Sequence, residues 1–478
     1  MRFAPLRRLV VALCAANACA AWAGDLSSTL KTGDRAAARA LLAEGADPDD
    51  ADADGTTALH WAIHHADAEL AKALLDAGAK VDARNRYGVP PLTLAAENGD
   101  ADLVLLLLEH GADANTASPE GETALMTAAR TGDTATLDAL LEGGARVDDR
   151  EGWKGQTALM WAAHENNAAA VGTLLAASAE RDARSTAGDF SALLFAVRAG
   201  SLEAARTLLQ AGADPNEALL DGTSALVLAA TNAHYDVAGL LLEHGAEPNA
   251  AAQGWTALHQ IAWSRRWNMG FNLPGPAQTG ELDGLELARR LVANGANVDA
   301  RQTKEPADGN RNKLDRLGAT PFVLAAKSCD LPLMHALLEL GADASLTTNA
   351  GTTALMAAAG VGIWAPGENP GTHDECLGAM EVALEAGGGA VDAIDKNGET
   401  ALHGAIYRGG NIAAIQFLAD RGADLDVVNA KGWAPITVAD GVEYTPDVLK
   451  RYPEAAALLR SLLAAQGLPM PPSTQPGR

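Results

Sequence analysis

One phrase, Gly-x-Thr-Ala-Leu followed by a pair of small residues, returns along this chain at a nearly constant interval. It reads Gly121-Glu122-Thr123-Ala124-Leu125-Met126-Thr127-Ala128-Ala129 in one copy and Gly155-Gln156-Thr157-Ala158-Leu159-Met160-Trp161-Ala162-Ala163 in the next. Further copies open at Gly55, Gly88, Gly222, Gly254, Gly318, Gly351, Gly398 and Gly432, with a degenerate one at Ser191. The first leucines are Leu59, Leu92, Leu125, Leu159, Leu193, Leu226 and Leu258, so successive steps are 32 to 34 residues. Self-similarity at that period argues against one large central core, because each unit buries its apolar face only against its neighbours. Apolar residues make up 48% of the chain but aromatics only 4%, so alanine and leucine must fill the space between thin, closely packed helices.

Each part of the phrase has a physical role. Thr57, Thr123, Thr157 and Thr256 stand where a hydroxyl caps the free N–H groups of a first helix. Alanine pairs such as Ala95-Ala96 and Ala128-Ala129 allow neighbouring helices to approach. Leucine pairs such as Leu74-Leu75, Leu107-Leu108 and Leu241-Leu242 belong to a second helix and fill the gap between units. Glycine then ends that helix at Gly78, Gly111, Gly144, Gly212 and Gly245, where a left-handed residue is wanted. The stretch Asp25–Asp50 lacks the opening phrase but carries Leu41-Leu42 and Gly45-Ala46-Asp47, the second half of a unit. With Lys31, Arg35 and Arg39 on its polar side it reads as a terminal cap.

These motifs resemble the ankyrin-repeat family over residues 24–466. The resemblance implies an all-α solenoid of about a dozen units, each a β-turn and two antiparallel helices. It also implies that His60, His259 and His403 hydrogen-bond the adjoining turn, and that turns and first helices line a concave, partner-binding surface. Concave candidates are His64, His65, Arg130, His164, Glu165, Arg198, Asn232, Trp263, Lys327, Tyr407 and Arg408.

Three insertions break the rhythm, near 264–283, 302–317 and 360–375, and insertions in such arrays become surface loops. Trp263, Trp267, Phe271 and Trp364 cluster around them. Tryptophan and arginine are enriched in binding hot spots, so this cluster is a second candidate surface; its rings alternatively form the loops' own core. Trp153, Trp255 and Trp433 lie at turn tips, whereas Trp61, Trp161 and Phe195 occupy core slots. Thr445-Pro446-Asp447 and Tyr452-Pro453-Glu454 each look like a helix start, and residues 467–478 form a proline-rich, disordered tail.

The first 23 residues read as a signal peptide. Arg2, Arg7 and Arg8 precede a short apolar run, and Ala21-Trp22-Ala23 fits a cleavage site. No later apolar run is long enough to span a bilayer. Export to a periplasm or beyond is therefore expected, as a monomer. The net charge of −25 argues against nucleic acid as a main partner. Cleavage would leave two cysteines, Cys329 and Cys376, in consecutive units. Adjacent helices lie roughly 8–10 Å apart, too far for a strict bridge, but the 360–375 loop could close the gap. A disulfide pinning that loop is expected, with a nucleophilic cysteine as the alternative.

No phosphate loop, nucleophile elbow, dinucleotide fingerprint or metal-ligand spacing stands in a credible setting. Asp308-Gly309-Asn310-Arg311-Asn312 alternates oxygen ligands but lacks the later glycine and glutamate of a calcium loop. No cofactor is expected. The function expected is a non-catalytic protein-binding scaffold. Rival readings are an accessory partner of a periplasmic redox enzyme or cytochrome, a secreted effector, and a hydrolase built on His373, Asp374 and Cys376.

Overall fold

A computed structural model of the chain describes residues 25–266, 275–306, 314–363, 370–445 and 448–470. The expected signal segment, the end of the tail, Trp267, Phe271, Trp364 and the calcium-like stretch 308–312 lie outside the described residues.

Among the described residues the period becomes twelve pairs of short helices. The chain divides into two compact units, Met1–Ala162 with Ala169–Glu180, and Ala163–Ala168 with Arg181–Arg478. The first unit pairs α1 (Leu26–Lys31) with α2 (Arg35–Ala43), α3 (Ala58–His64) with α4 (Ala68–Asp76), α5 (Pro91–Asn98) with α6 (Ala101–Glu109), and α7 (Ala124–Thr131) with α8 (Thr134–Glu142). Helices α9 (Ala158–His164) and α10 (Ala168–Ala176) fall at the division. The second unit pairs α11 (Ala192–Ala199) with α12 (Leu202–Gln210), α13 (Ala225–Thr231) with α14 (Tyr235–Glu243), and α15 (Ala257–Ser264) with α16 (Gly284–Ala293). It continues with α17 (Pro321–Lys327) and α18 (Leu331–Glu339), α19 (Ala354–Ala359) and α20 (His373–Glu385), and α21 (Ala401–Tyr407) and α22 (Ile412–Asp420). It closes with α23 (Pro435–Asp440), β1 (Val442–Thr445), β2 (Val448–Lys450) and α24 (Pro453–Gln466).

The repeated leucine is the core of each pair: Leu59, Leu92, Leu125, Leu159, Leu193, Leu226 and Leu258 are all at most 2% exposed. Each contributes about 1.5–3 kcal/mol by leaving water. Threonine and serine cap the first helices as the sequence implies, with Thr57, Thr123, Ser191, Ser224, Thr320, Thr353 and Thr400 each accepting an N–H. Six second helices are capped by acids: Asp34, Asp67, Asp100, Asp133, Asp283 and Asp330 each accept from the backbone three residues on. Carboxylates at that end also oppose the positive pole of the helix dipole.

The histidine of the phrase ties one repeat to the next. His60 Nδ1 accepts the Thr57 N–H at 3.1 Å, which leaves the proton on Nε2 to bond the Val89 carbonyl at 3.0 Å. His259 and His403 repeat this with Ala319 and Trp433 at 3.2 and 3.0 Å. Burial pushes all three pKa values down, His259 to about 4.

The last pair differs from expectation. Thr445 ends a strand and Val448 begins its antiparallel partner, where a helix start was expected; Pro446 and Asp447 lie outside the described residues. The physical reason is local. Helix α23 stops at Gly441 (φ 124°), and Val442, Tyr444 and Val448 are residue types that favour extended backbone. Pro453, in contrast, does open α24.

Candidate partner-binding face and the insertion cluster

Each unit repeats an equivalent position at the ends of its first helices, and these positions divide into open and covered ones. In the first unit His64 is exposed and His65 half-buried. His65 Nε2 bonds the Leu30 carbonyl at 2.8 Å, and its ring stacks on Trp61 at 6.3 Å, so one face of this histidine pair is already engaged. Trp61 is nearly buried, and its indole N–H donates to Asp52 at 3.2 Å. Arg130 lies 3.8 Å from Glu122 and over the Trp161 ring at 5.6 Å. Burial raises the Glu122 pKa, against the opposing pull of Arg130 and the Thr127 hydroxyl.

In the second unit Glu165 and Arg198 are exposed, while His164 and Asn232 are half-buried. Asn232 bonds its own helix through the Leu228 carbonyl at 2.9 Å. Phe195, 4% exposed, contacts His164 edge-on at 6.3 Å.

Further along, these positions are covered. Lys327, Tyr407 and Arg408 are only 6–7% exposed and are not part of an open face. The Arg408 guanidinium donates to the Lys327 carbonyl at 2.9 Å and to the Pro370 carbonyl at 3.4 Å, reaching from α21 across α19 to the end of α17. Burial pushes its pKa down to about 10. The Tyr407 hydroxyl donates to Glu399 at 3.0 Å, and Asn429 donates to the same oxygen at 3.1 Å. Burial raises Glu399 to about 7 in spite of those two donors. Of the three, Arg408 is held against the described ends of the third insertion, at Gly360 and Pro370.

The three insertions meet one another. Arg265 and Arg266, just past α15, reach Asp330 at 2.8 Å and Glu375 at 2.6 Å. Leu314 of the second insertion is 3% exposed, and a Cβ added at Gly362 of the third would lie 2.6 Å from it. Arg316 of the second insertion lies over the half-buried Trp263 ring at 5.8 Å. Between the paired acids, Cys329 and Cys376 form a disulfide with Cα atoms 4.9 Å apart. Two departures from regular repeat geometry bring the sulfurs together. Cys329 sits in the turn after α17 at φ 51°, and α20 is extended to 13 residues so that Cys376 lies in its first turn. Gly371 completes the packing, since a Cβ there would fall 2.8 Å from the Cys376 sulfur and 2.9 Å from Cys329 Cβ. A sulfur held in this bond is not a nucleophile, and His373 and Asp374 beside it are exposed.

Of the turn-tip tryptophans, Trp255 and Trp433 are half-buried and Trp153 is 78% exposed. The Trp153 turn is rigid: buried Glu151 accepts N–H bonds from Trp153, Lys154 and Gln156 at 2.6, 2.8 and 3.0 Å. Among the described residues no group of three His, Cys, Asp or Glu side chains is placed to hold a metal ion. No described helix is long and apolar enough to cross a membrane.

No curated protein sequence matches the chain. A solved structure, the ankyrin repeat domain of Bcl-3, described as a unique member of the IkappaB protein family, is similar at 28% identity and a TM-score of 0.40. It covers 43% of this chain and 93% of its own. The model for ankyrin repeats in three copies matches residues 26–118, 92–185, 125–219 and 193–269, and the single ankyrin-repeat model matches 397–430. Together these take in more than half of the chain, with the capped helix pairs and turn-bonding histidines described above, and the chain belongs to the ankyrin-repeat family.

Proposed function

We propose that the chain is a non-catalytic scaffold that binds a partner protein through the exposed ends of its first helices. The observation that carries this reading is the contrast in exposure along equivalent positions. His64, Glu165 and Arg198 face solvent, whereas Lys327, Tyr407 and Arg408 are buried. On this reading recognition falls to the regular repeats, and the described insertion residues Arg265, Arg266, Leu314 and Arg316 serve structure. Trp263 stays a contact candidate beside them.

The compartment belongs to the same proposal. A buried disulfide suits an oxidising compartment, and the Arg2–Ala23 segment has the pattern of an export signal. Capture from a periplasmic extract tests both parts. The mature chain should retain a partner that a His64→Ala, Arg130→Ala, Arg198→Ala variant loses. A variant with residues 267–274 and 364–369 shortened should still retain it. Retention by the first variant and loss by the second would move recognition to the insertions.

A further inference from the structure

Arg198 stands apart from the other arginines of its neighbourhood. Arg181, Arg184 and Arg206 are each paired with an acid, Asp182 at 2.7 Å, Glu217 at 3.3 Å and Glu203 at 3.4 Å. Among the described residues no carboxylate pairs with Arg198, and its guanidinium makes no hydrogen bond. Other arginines without an acid, such as Arg84, Arg301 and Arg408, bond backbone carbonyls instead, whereas Arg198 keeps its five N–H donors open. The group is nevertheless held in place. It lies over Phe190 at 4.5 Å and Phe195 at 5.1 Å, and those rings contact each other at 5.3 Å.

The backbone beneath is fixed from the next repeat, because His234 Nε2 bonds the Arg198 carbonyl at 3.1 Å and its Nδ1 meets Thr279 at 2.8 Å. Position near the end of α11 suits a cation and stacking on aromatics adds to it, which accounts for its being tolerated without an acid. Neither contact uses the planar N–H fork, whose geometry matches a carboxylate.

We propose that Arg198, backed by Phe190 and Phe195, is the docking point for a carboxylate side chain of the partner protein, carried next to an apolar residue that covers the half-buried Phe190 ring. This rests on the scaffold reading and adds to it the chemistry of one contact. Arginine and aromatic rings together are the composition of a binding hot spot, and a preorganised fork loses little freedom on engagement.

A randomised, C-terminally amidated nonapeptide library selected on the mature chain tests the claim. Selected peptides should carry Asp or Glu beside an apolar residue. Each should lose about tenfold or more in affinity on Arg198→Gln in the protein, or on Glu→Gln in the peptide, and Arg198→Lys should lose less. Selection of peptides without an acid, affinities unchanged by Arg198→Gln, or no selectable peptide would each overturn the inference. Capture of the same partner by the parent and by Arg198→Gln would overturn it while leaving the scaffold reading intact. Failure of both chains to capture anything is the outcome that counts against the scaffold reading itself.

Discussion

Arg265 Nε donates to Asp330 Oδ2 at 2.8 Å, and a terminal guanidinium nitrogen reaches Oδ1 at 3.3 Å. Asp330 has no exposed surface and also caps α18 by accepting the Leu333 N–H at 3.2 Å. One carboxylate therefore starts a helix and anchors the first insertion from 65 residues away.

Removing one member of this pair leaves the other charge buried. Arg265→Ala should destabilise the second unit by about 3 kcal/mol, and Asp330→Ala by more, since the cap is lost as well. Urea unfolding followed by circular dichroism measures both. Equal, small losses below about 1 kcal/mol would mean that the pair acts as an ordinary surface salt bridge.

The disulfide closes a segment of 47 residues. A loop of that size is worth about 4 kcal/mol in the chain-entropy description, so Cys329→Ser with Cys376→Ser should lower the melting temperature of the second unit. Gly371→Ala is the sharper experiment. Its Cβ would fall within 3 Å of the Cys376 sulfur at a φ of +108°, so air-oxidised protein should show free thiols on mass analysis. Complete oxidation of Gly371→Ala at the parent's rate would contradict this packing.

His259 gives a pH dependence of definite sign. Burial holds its folded pKa at about 4, below the 6.5 of an unfolded histidine. Between those values the unfolded chain takes up a proton that the folded chain refuses, so this residue's contribution is present above pH 6.5 and declines as pH falls towards 4. In NMR titration the His259 ring should remain neutral at pH 5.5, and His259→Gln should flatten the stability profile in that window. Protonation with a midpoint near 6.5 would contradict the buried, turn-bonding role.

Trp153 and Glu151 should separate binding from stability. The ring is 78% exposed, so Trp153→Ala should change unfolding by no more than about 0.5 kcal/mol. Glu151 is 7% exposed and holds three N–H groups, so Glu151→Ala should cost about 1–3 kcal/mol in the first unit. Thermal denaturation of the two variants side by side checks the contrast.

The repeat frame was legible because Leu59 and its successors recur at the period at which the helices stack, and the threonine caps and histidine bridges travel with them. Aspartate caps such as Asp100 and Asp133 were equally present, in Gly99-Asp100 and Gly132-Asp133 just ahead of each second helix, but their number made them look like turn acids. What no period encodes is where loops land. Arg266 and Glu375 pair across 109 residues because two insertions lean together over α17, and that contact depends on three-dimensional placement alone. Lys327, Tyr407 and Arg408 were expected on the open face, yet they are buried, with Arg408 bonding the Lys327 and Pro370 carbonyls. For the same reason Cys329 and Cys376 needed a left-handed turn residue and a lengthened helix to meet.

Hydrogen exchange on the chain with and without its captured partner tests the docking face most directly. Added protection should concentrate at the ends of the open first helices, around His64-His65, Arg130-Thr131, His164-Glu165 and Arg198. The buried segment around Lys327, Cys329 and Arg408 should exchange at the same rate in both samples. Protection confined to residues 264–283 and 360–375, with the open first-helix ends unchanged, would contradict recognition by the regular repeats.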